Sequence, residues 1–143
     1  QEKYARLIAR AIKNRVRKGS IETTFDLAEA IKSAIPWNYE RGRIHPATRT
    51  FMALRIYANN ELGNLEKVLK DIFKILKPGG RVAIISFHSM EDRIVKNYFR
   101  DYAKEEKVTI LTKKPIEATE EEIAVNPRSR SAKLRAAILT PSR

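Results

Sequence analysis

Apolar residues recur at spacings of three and four from the first residues of the chain. Tyr4, Leu7, Ile8, Ala11, Ile12 and Val16 share one side of a helix, and Lys3, Arg6, Arg10, Lys13 and Arg17 share another. Gly19-Ser20 ends that element. Thr23 and Asp26 form a capping-box pair that opens a second helix, with Leu27, Ala28, Ile31 and Ile35 inward and Pro36 as its stop. Pro46 suits the first position of a long periodic stretch from Ala47 through Phe51, Leu54, Ala58, Leu62, Leu65, Leu69 and Ile72 to Leu76. Gly63-Asn64 reads as a stop and a fresh cap within it, which makes two consecutive helices.

After the Pro78-Gly79-Gly80 turn the period changes. Val82 to Ile85 is a continuous apolar run, the pattern of a strand covered on both faces. Ser89 with Asp92 predicts the cap of a helix that buries Ile94, Val95, Tyr98, Phe99 and Tyr102. Val108 to Leu111 and Lys133 to Leu139 read as strands. Between them Thr119 with Glu122 caps a short helix that Asn126-Pro127 closes. Helices thus come first, then an α/β pattern. Three short strands alone would expose two long edges, so the sheet looks like half of a larger one. Gln1-Glu2-Lys3 has no initiator methionine and enters a helix at once, so the chain is expected to be a piece of something longer.

Composition narrows the partners. A net charge of +12 and a pI near 10.1 favour a polyanion, nucleic acid above all. With no cysteine and two histidines, disulfides and thiolate metal sites are excluded and no metal is expected. No apolar run reaches the length of a membrane span, and the expectation is a soluble, cytoplasmic protein. The five glycines make no phosphate-cradling loop, so no nucleotide cofactor is expected to be held by this chain alone.

Three stretches carry candidate chemistry. The first, Arg41 to Phe51, holds Arg43, His45 and Arg49 without an acid; Arg55, Asn59 and Glu61 follow. Its arginines can pair with phosphate and His45 can hydrogen-bond a base or ribose, or all can be merely solvated. In the second, Ser86, His88 and Ser89 lie where a strand ends, the usual ligand position in open α/β sheets. His88 can orient a substrate or shuttle a proton there, alongside a capping role for Ser89. The third, Asn126 to Arg135, carries Arg128, Arg130, Lys133 and Arg135 with no acid, and reads as a phosphate-contacting loop or a flexible basic turn.

Together, HPATRTFMALRIYANNEL, LKPGGRVAIISFHSMEDRIVKNYFR and KKPIEATEEEIAVNPRSRSAKLRAAIL resemble the C-terminal half of the bacterial 16S rRNA (cytosine-N4)-methyltransferase family. Met52 and Met90 stand where that family's pattern has Gln and Leu. The resemblance implies a Rossmann-like sheet of which Val82–Phe87 is the fifth strand, followed by the sixth and a reversed seventh. Residues 1–45 would be part of an inserted helical substrate-recognition domain and 46–143 the C-terminal half of the methyltransferase domain. It further implies S-adenosylmethionine as cofactor, bound mainly upstream of Gln1, and the 16S rRNA or small ribosomal subunit as partner. The remaining half of the same protein would be a second partner, with a homodimer left open. His45, Arg49, Arg55, Asn59 and Glu61 would lie near substrate, Ser86, His88 and Ser89 at the cleft floor, and Arg128, Arg130, Lys133 and Arg135 on the RNA backbone. His45 and His88 are the candidates for a catalytic group. A basic RNA-binding module without chemistry is the competing expectation for the chain as it stands.

Overall fold

A computed structural model describes residues 2–39 and 44–141. The chain divides into two compact units, Gln1–Glu61 and Leu62–Arg143. The helix that follows Pro46 lies within the first of these units.

The first unit holds α1 (Ala5–Arg17), α2 (Thr24–Ser33) and α3 (Thr48–Ala58). The capping box before α2 is present in full: Thr23 Oγ1 accepts from Asp26 N–H, and the Asp26 carboxylate accepts from Thr23 N–H. Ile8, Ile31 and Ala47 are buried, with Tyr4, Ile12, Leu27, Ala28, Ile35 and Phe51 packed around them. Leu7 and Val16, assigned to the apolar side of α1, stay about half exposed, so the inward stripe is narrower than its pattern. The break before the next helix comes earlier than Gly63-Asn64. It falls at Asn59-Asn60, where Asn60 takes a left-handed φ of 49°, a conformation asparagine tolerates better than most residues. Gly63 and Asn64 are helical.

The second unit follows with α4 (Glu61–Ile75, its first residue closing the first unit), β1 (Arg81–Ser86) and α5 (Ser89–Lys104). After these come β2 (Val108–Ile110), β3 (Ile116–Glu117), α6 (Glu120–Val125), a 3-10 helix (Pro127–Ser131) and β4 (Lys133–Leu139). β4 is the central strand. It runs antiparallel to β1, with Val82 opposite Ala137 and Ser86 opposite Lys133, and on its other side antiparallel to β2 and β3. β1 and β2 are consequently parallel to each other. Leu69, Val82, Val95, Phe99, Val108 and Ala137 form the core. Phe73 meets Phe99 and Tyr102 edge-on at 6.4 and 5.0 Å. Burying one such side chain contributes about 1.5–3 kcal/mol.

β1 departs from the expected strand covered on both faces. Val82 and Ser86 are buried, whereas Ala83 and Ile85 on the alternate face are exposed, Ile85 by 55%. Strand periodicity sends alternate residues to opposite faces, and the described residues cover only one of them. The two-residue β3 and the 3-10 helix carry too few positions to produce a periodic signal.

Candidate nucleic-acid interface at the strand ends

β1 ends on buried Ser86, and the chain turns through Phe87 into α5. The cap of α5 is His88, one residue before the expected Ser89, which is the first helical residue. His88 Nδ1 accepts from Glu91 N–H at 3.2 Å, while the Glu91 carboxylate accepts from the N–H groups of Phe87 and His88 at 2.9 and 3.3 Å. The displacement has a physical cause. Ser89-Asp92 and His88-Glu91 offer the same three-residue spacing, but the Asp92 carboxylate is held elsewhere, which leaves Glu91 to reach back.

That cap decides the state of the imidazole. With Nδ1 accepting, the hydrogen of a neutral ring sits on Nε2. The ring is buried, its side chain 8% exposed, and Nε2 has no hydrogen-bond partner among the described residues; Glu91 Oε1 lies 3.5 Å away without hydrogen-bond geometry. His88 thus presents a buried donor and keeps its basic nitrogen occupied.

Asp92 is held by Arg135. The guanidinium donates from Nε to Oδ1 at 2.7 Å and from Nη2 to Oδ2 at 3.1 Å, a two-pronged bond between α5 and β4 with both side chains largely buried. The Arg135 hydrogen bonds hold the Asp92 carboxyl below the usual carboxylate value, against the opposing effect of burial and with help from the charges of Arg135, Lys133 and Lys96. Arg135, expected on the RNA backbone, instead points inward. It shares a face with Ala137 two residues on, and that period was the available signal. Lys133 stands beside Ser86 in the strand register and 3.5 Å from Glu117. Arg128 and Arg130 are exposed on the 3-10 helix that feeds β4, matching the expected basic loop more closely.

In the first unit, His45, Thr48, Phe51, Met52 and Arg55 line a broad shallow recess of about 720 Å³. His45 Nδ1 accepts from Ala47 N–H at 3.2 Å and so shapes the start of α3. Arg55 pairs with Glu61 through Nε–Oε1 at 2.8 Å and Nη2–Oε2 at 3.2 Å, and Asn59 donates to the same carboxylate at 3.5 Å. Arg49 belongs to a different group: it donates to the Tyr39 hydroxyl, which donates to Glu2, at 2.9 Å each. The expected cluster is therefore split, and Arg43 lies outside the described residues.

The model of the MraW methylase family matches residues 1–139, nearly the whole chain. The chain belongs to that family. Among curated relatives, ribosomal RNA small subunit methyltransferase H of Nostoc sp. PCC 7120 is 56% identical over 137 residues, which are 96% of this chain and 43% of the relative. The protein of the same name from Trichormus variabilis is 57% identical over the same shares. That of Synechocystis sp. PCC 6803 is 56% identical over 94% of this chain and 42% of its own length. The chain thus spans less than half the length of these relatives. Those relatives are named as methyltransferases of small-subunit ribosomal RNA, and the cofactor that the sequence resemblance implies is S-adenosylmethionine.

The described residues do not fit a holder for that cofactor. The only adjacent glycines of this family member, Gly79 (φ 79°) and Gly80, precede β1, at the end of the strand remote from His88. Gly79 N–H donates to Leu139 O at 2.9 Å, and a Cβ on Gly80 would stand 2.7 Å from Lys77 O. The pair forms a tight turn tied to β4, and no strand here runs into a glycine turn and a helix. Among the described residues no helix is long and apolar enough to cross a membrane.

Proposed function

We propose that this chain is the carboxyl-terminal part of an S-adenosylmethionine-dependent methyltransferase that modifies N4 of a cytosine in 16S rRNA, acting on the small ribosomal subunit in the cytoplasm. The observation that carries the proposal is the match over residues 1–139 together with relatives named ribosomal RNA small subunit methyltransferase H. The sheet agrees with it: a reversed last strand between two parallel ones is the order implied for strands five, seven and six of a Rossmann-like methyltransferase. On this reading residues 1–45 belong to the inserted helical domain, and β1 would continue the sheet beyond its free edge.

The roles of the side chains follow from their hydrogen bonding. His88 orients substrate by donating from Nε2 to a carbonyl acceptor such as that of cytosine. Ser86 and Ser89 flank it at the cleft floor. Arg128, Arg130 and Lys133 contact phosphates, and Arg135 positions α5 through Asp92. Arg43, His45, Arg49, Arg55, Asn59 and Glu61 belong to the substrate side of the helical part. Catalysis would consist mainly of holding an accessible cytosine in line.

By itself the chain binds RNA without transferring a methyl group, because its adjacent glycines form a turn tied to β4 and not a phosphate-cradling loop. The test is to incubate the full-length protein with methyl-labelled S-adenosylmethionine and small ribosomal subunits, then digest the RNA to nucleosides. Label in N4-methylcytidine is expected. Label in another nucleoside, or none, overturns the assignment.

A further inference from the structure

Five cations and no acid lie on α1: Arg6, Arg10, Lys13, Arg15 and Arg17. At 3.6 residues per turn, Arg6, Arg10, Lys13 and Arg17 share roughly 60° of the helix surface, opposite buried Ile8, and extend over about 16 Å of its axis. All four are exposed, whereas Arg15 falls on the inward side. No ion pair holds any of the four among the described residues. The arginines of α3 differ: Arg49 lies 3.8 Å from a Glu2 oxygen, and Arg55 is bound by Glu61. Cations three and four residues apart on a helix repel one another, so α1 carries a cost that a polyanion would relieve. The opposite side of α1 is engaged, since Tyr4, Ile8 and Ile12 pack in the core of this unit, and is not free to enter a lipid surface.

We infer that this stripe lies along the phosphate backbone of a double-helical segment of the substrate RNA. The inference rests on the proposed function for the identity of the polyanion, and it assigns a contact that none of the side chains named there makes. Guanidinium groups take phosphate oxygens in pairs, and three of the four cations are arginines. The stripe carries no aromatic ring; Tyr4 at the start of the helix packs edge-on against Tyr39 at 4.9 Å. Proteins that hold single strands stack bases on aromatic side chains, whereas duplex RNA is held through its shape and its phosphates. A row of exposed cations along a rod matches the duplex.

The test uses the full-length protein with a fluorescein-labelled RNA hairpin, and with a labelled strand of like length that cannot pair, each titrated over a range of salt. Arg10→Gln/Lys13→Gln is compared with Lys67→Gln/Lys70→Gln, an equal loss of charge from exposed positions on α4. Glutamine has nearly the helix propensity of arginine and lysine, so the α1 variant should melt no lower than the parent. It is expected to bind the hairpin about tenfold or more weakly at low salt, with a salt slope smaller by about 1.8, the loss of two phosphate contacts. The α4 variant should stay close to the parent, and Arg10→Lys, which keeps the charge, should keep the slope. Equal losses in both double variants, no loss in the α1 variant, or an equal or greater loss on the unpaired strand overturns the inference. So does α1-dependent sedimentation with phosphatidylglycerol vesicles that the hairpin fails to compete, which would make the partner a membrane surface. Binding is read apart from methyl transfer: an unaffected hairpin leaves labelled N4-methylcytidine standing, and absence of that label leaves an α1-dependent affinity standing.

Discussion

On one face of the sheet Val82, Ile84 and Ala137 meet Leu69, Val95 and Phe99 and are withdrawn from water. On the other face Ala83, Ile85, Leu134, Ala136 and Ile138 stand in cross-strand register, equally apolar, and Ile85 is 55% exposed. Residue type does not distinguish the two faces; cover does. An apolar face without a partner in a basic, otherwise polar chain is a surface with a use. On the proposed function, the remaining part of the methyltransferase would be its cover.

The comparison is most sharply tested by Phe99→Ala, which empties the covered face. Phe99 is 1% exposed, and its loss should cost about 3–5 kcal/mol in urea unfolding, both in this chain and in the full-length protein. A cost below 1 kcal/mol would mean that the covered face is loosely packed.

Asp92→Asn should cost a similar or slightly smaller amount, up to about 3–5 kcal/mol, because it leaves the Arg135 guanidinium buried without a counter-charge. It also carries a pH signature. The Asp92 carboxyl is held below its ordinary value near 3.8, so the unfolded chain binds the proton more readily. The stabilisation is complete above that value and fades as pH falls toward the lower folded one. The variant should lose this part of the acid dependence, and an unchanged acid-unfolding profile would contradict the pairing.

At the end of β1, His88→Ala should cost about 0.5–2 kcal/mol through loss of the cap. His88→Asp should recover most of that stability, since aspartate caps well, yet leave rRNA methylation by the full-length protein depressed for want of the Nε2 donor. Full activity in the aspartate variant would make His88 a cap alone. The smallest effect belongs to the open face. Ile85→Ser should change the stability of this chain by less than about 0.5 kcal/mol and that of the full-length protein by roughly 1–3 kcal/mol.

Much of this was legible in the sequence, and the exceptions share a cause. The capping box at Thr23 and Asp26 is local, and it forms as its spacing implies. The pair at Ser89 and Asp92 is equally well spaced but loses to His88 and Glu91, because Asp92 is claimed by Arg135, 43 residues away. Arg135 itself read as one more cation in a basic loop until strand register turned it inward. His45, Arg49 and Arg55 are neighbours in sequence, yet Tyr39 and Glu2 draw Arg49 away from the recess that His45 and Arg55 line. Local pattern specified elements and caps; long-range pairing decided which charged groups face outward.

The central claim is that β1 and the open face are a seam with the rest of the protein, and hydrogen exchange tests it most directly. Among the described residues β1 pairs only with β4, so one row of its backbone amides has no ladder partner. In this chain alone the amides of residues 81–86 that face away from β4 should exchange rapidly. In the full-length protein they should be protected together with those that face β4. Equal, fast exchange of those outer amides in both would contradict the account, since β1 would then be a true edge and the sheet complete as it stands.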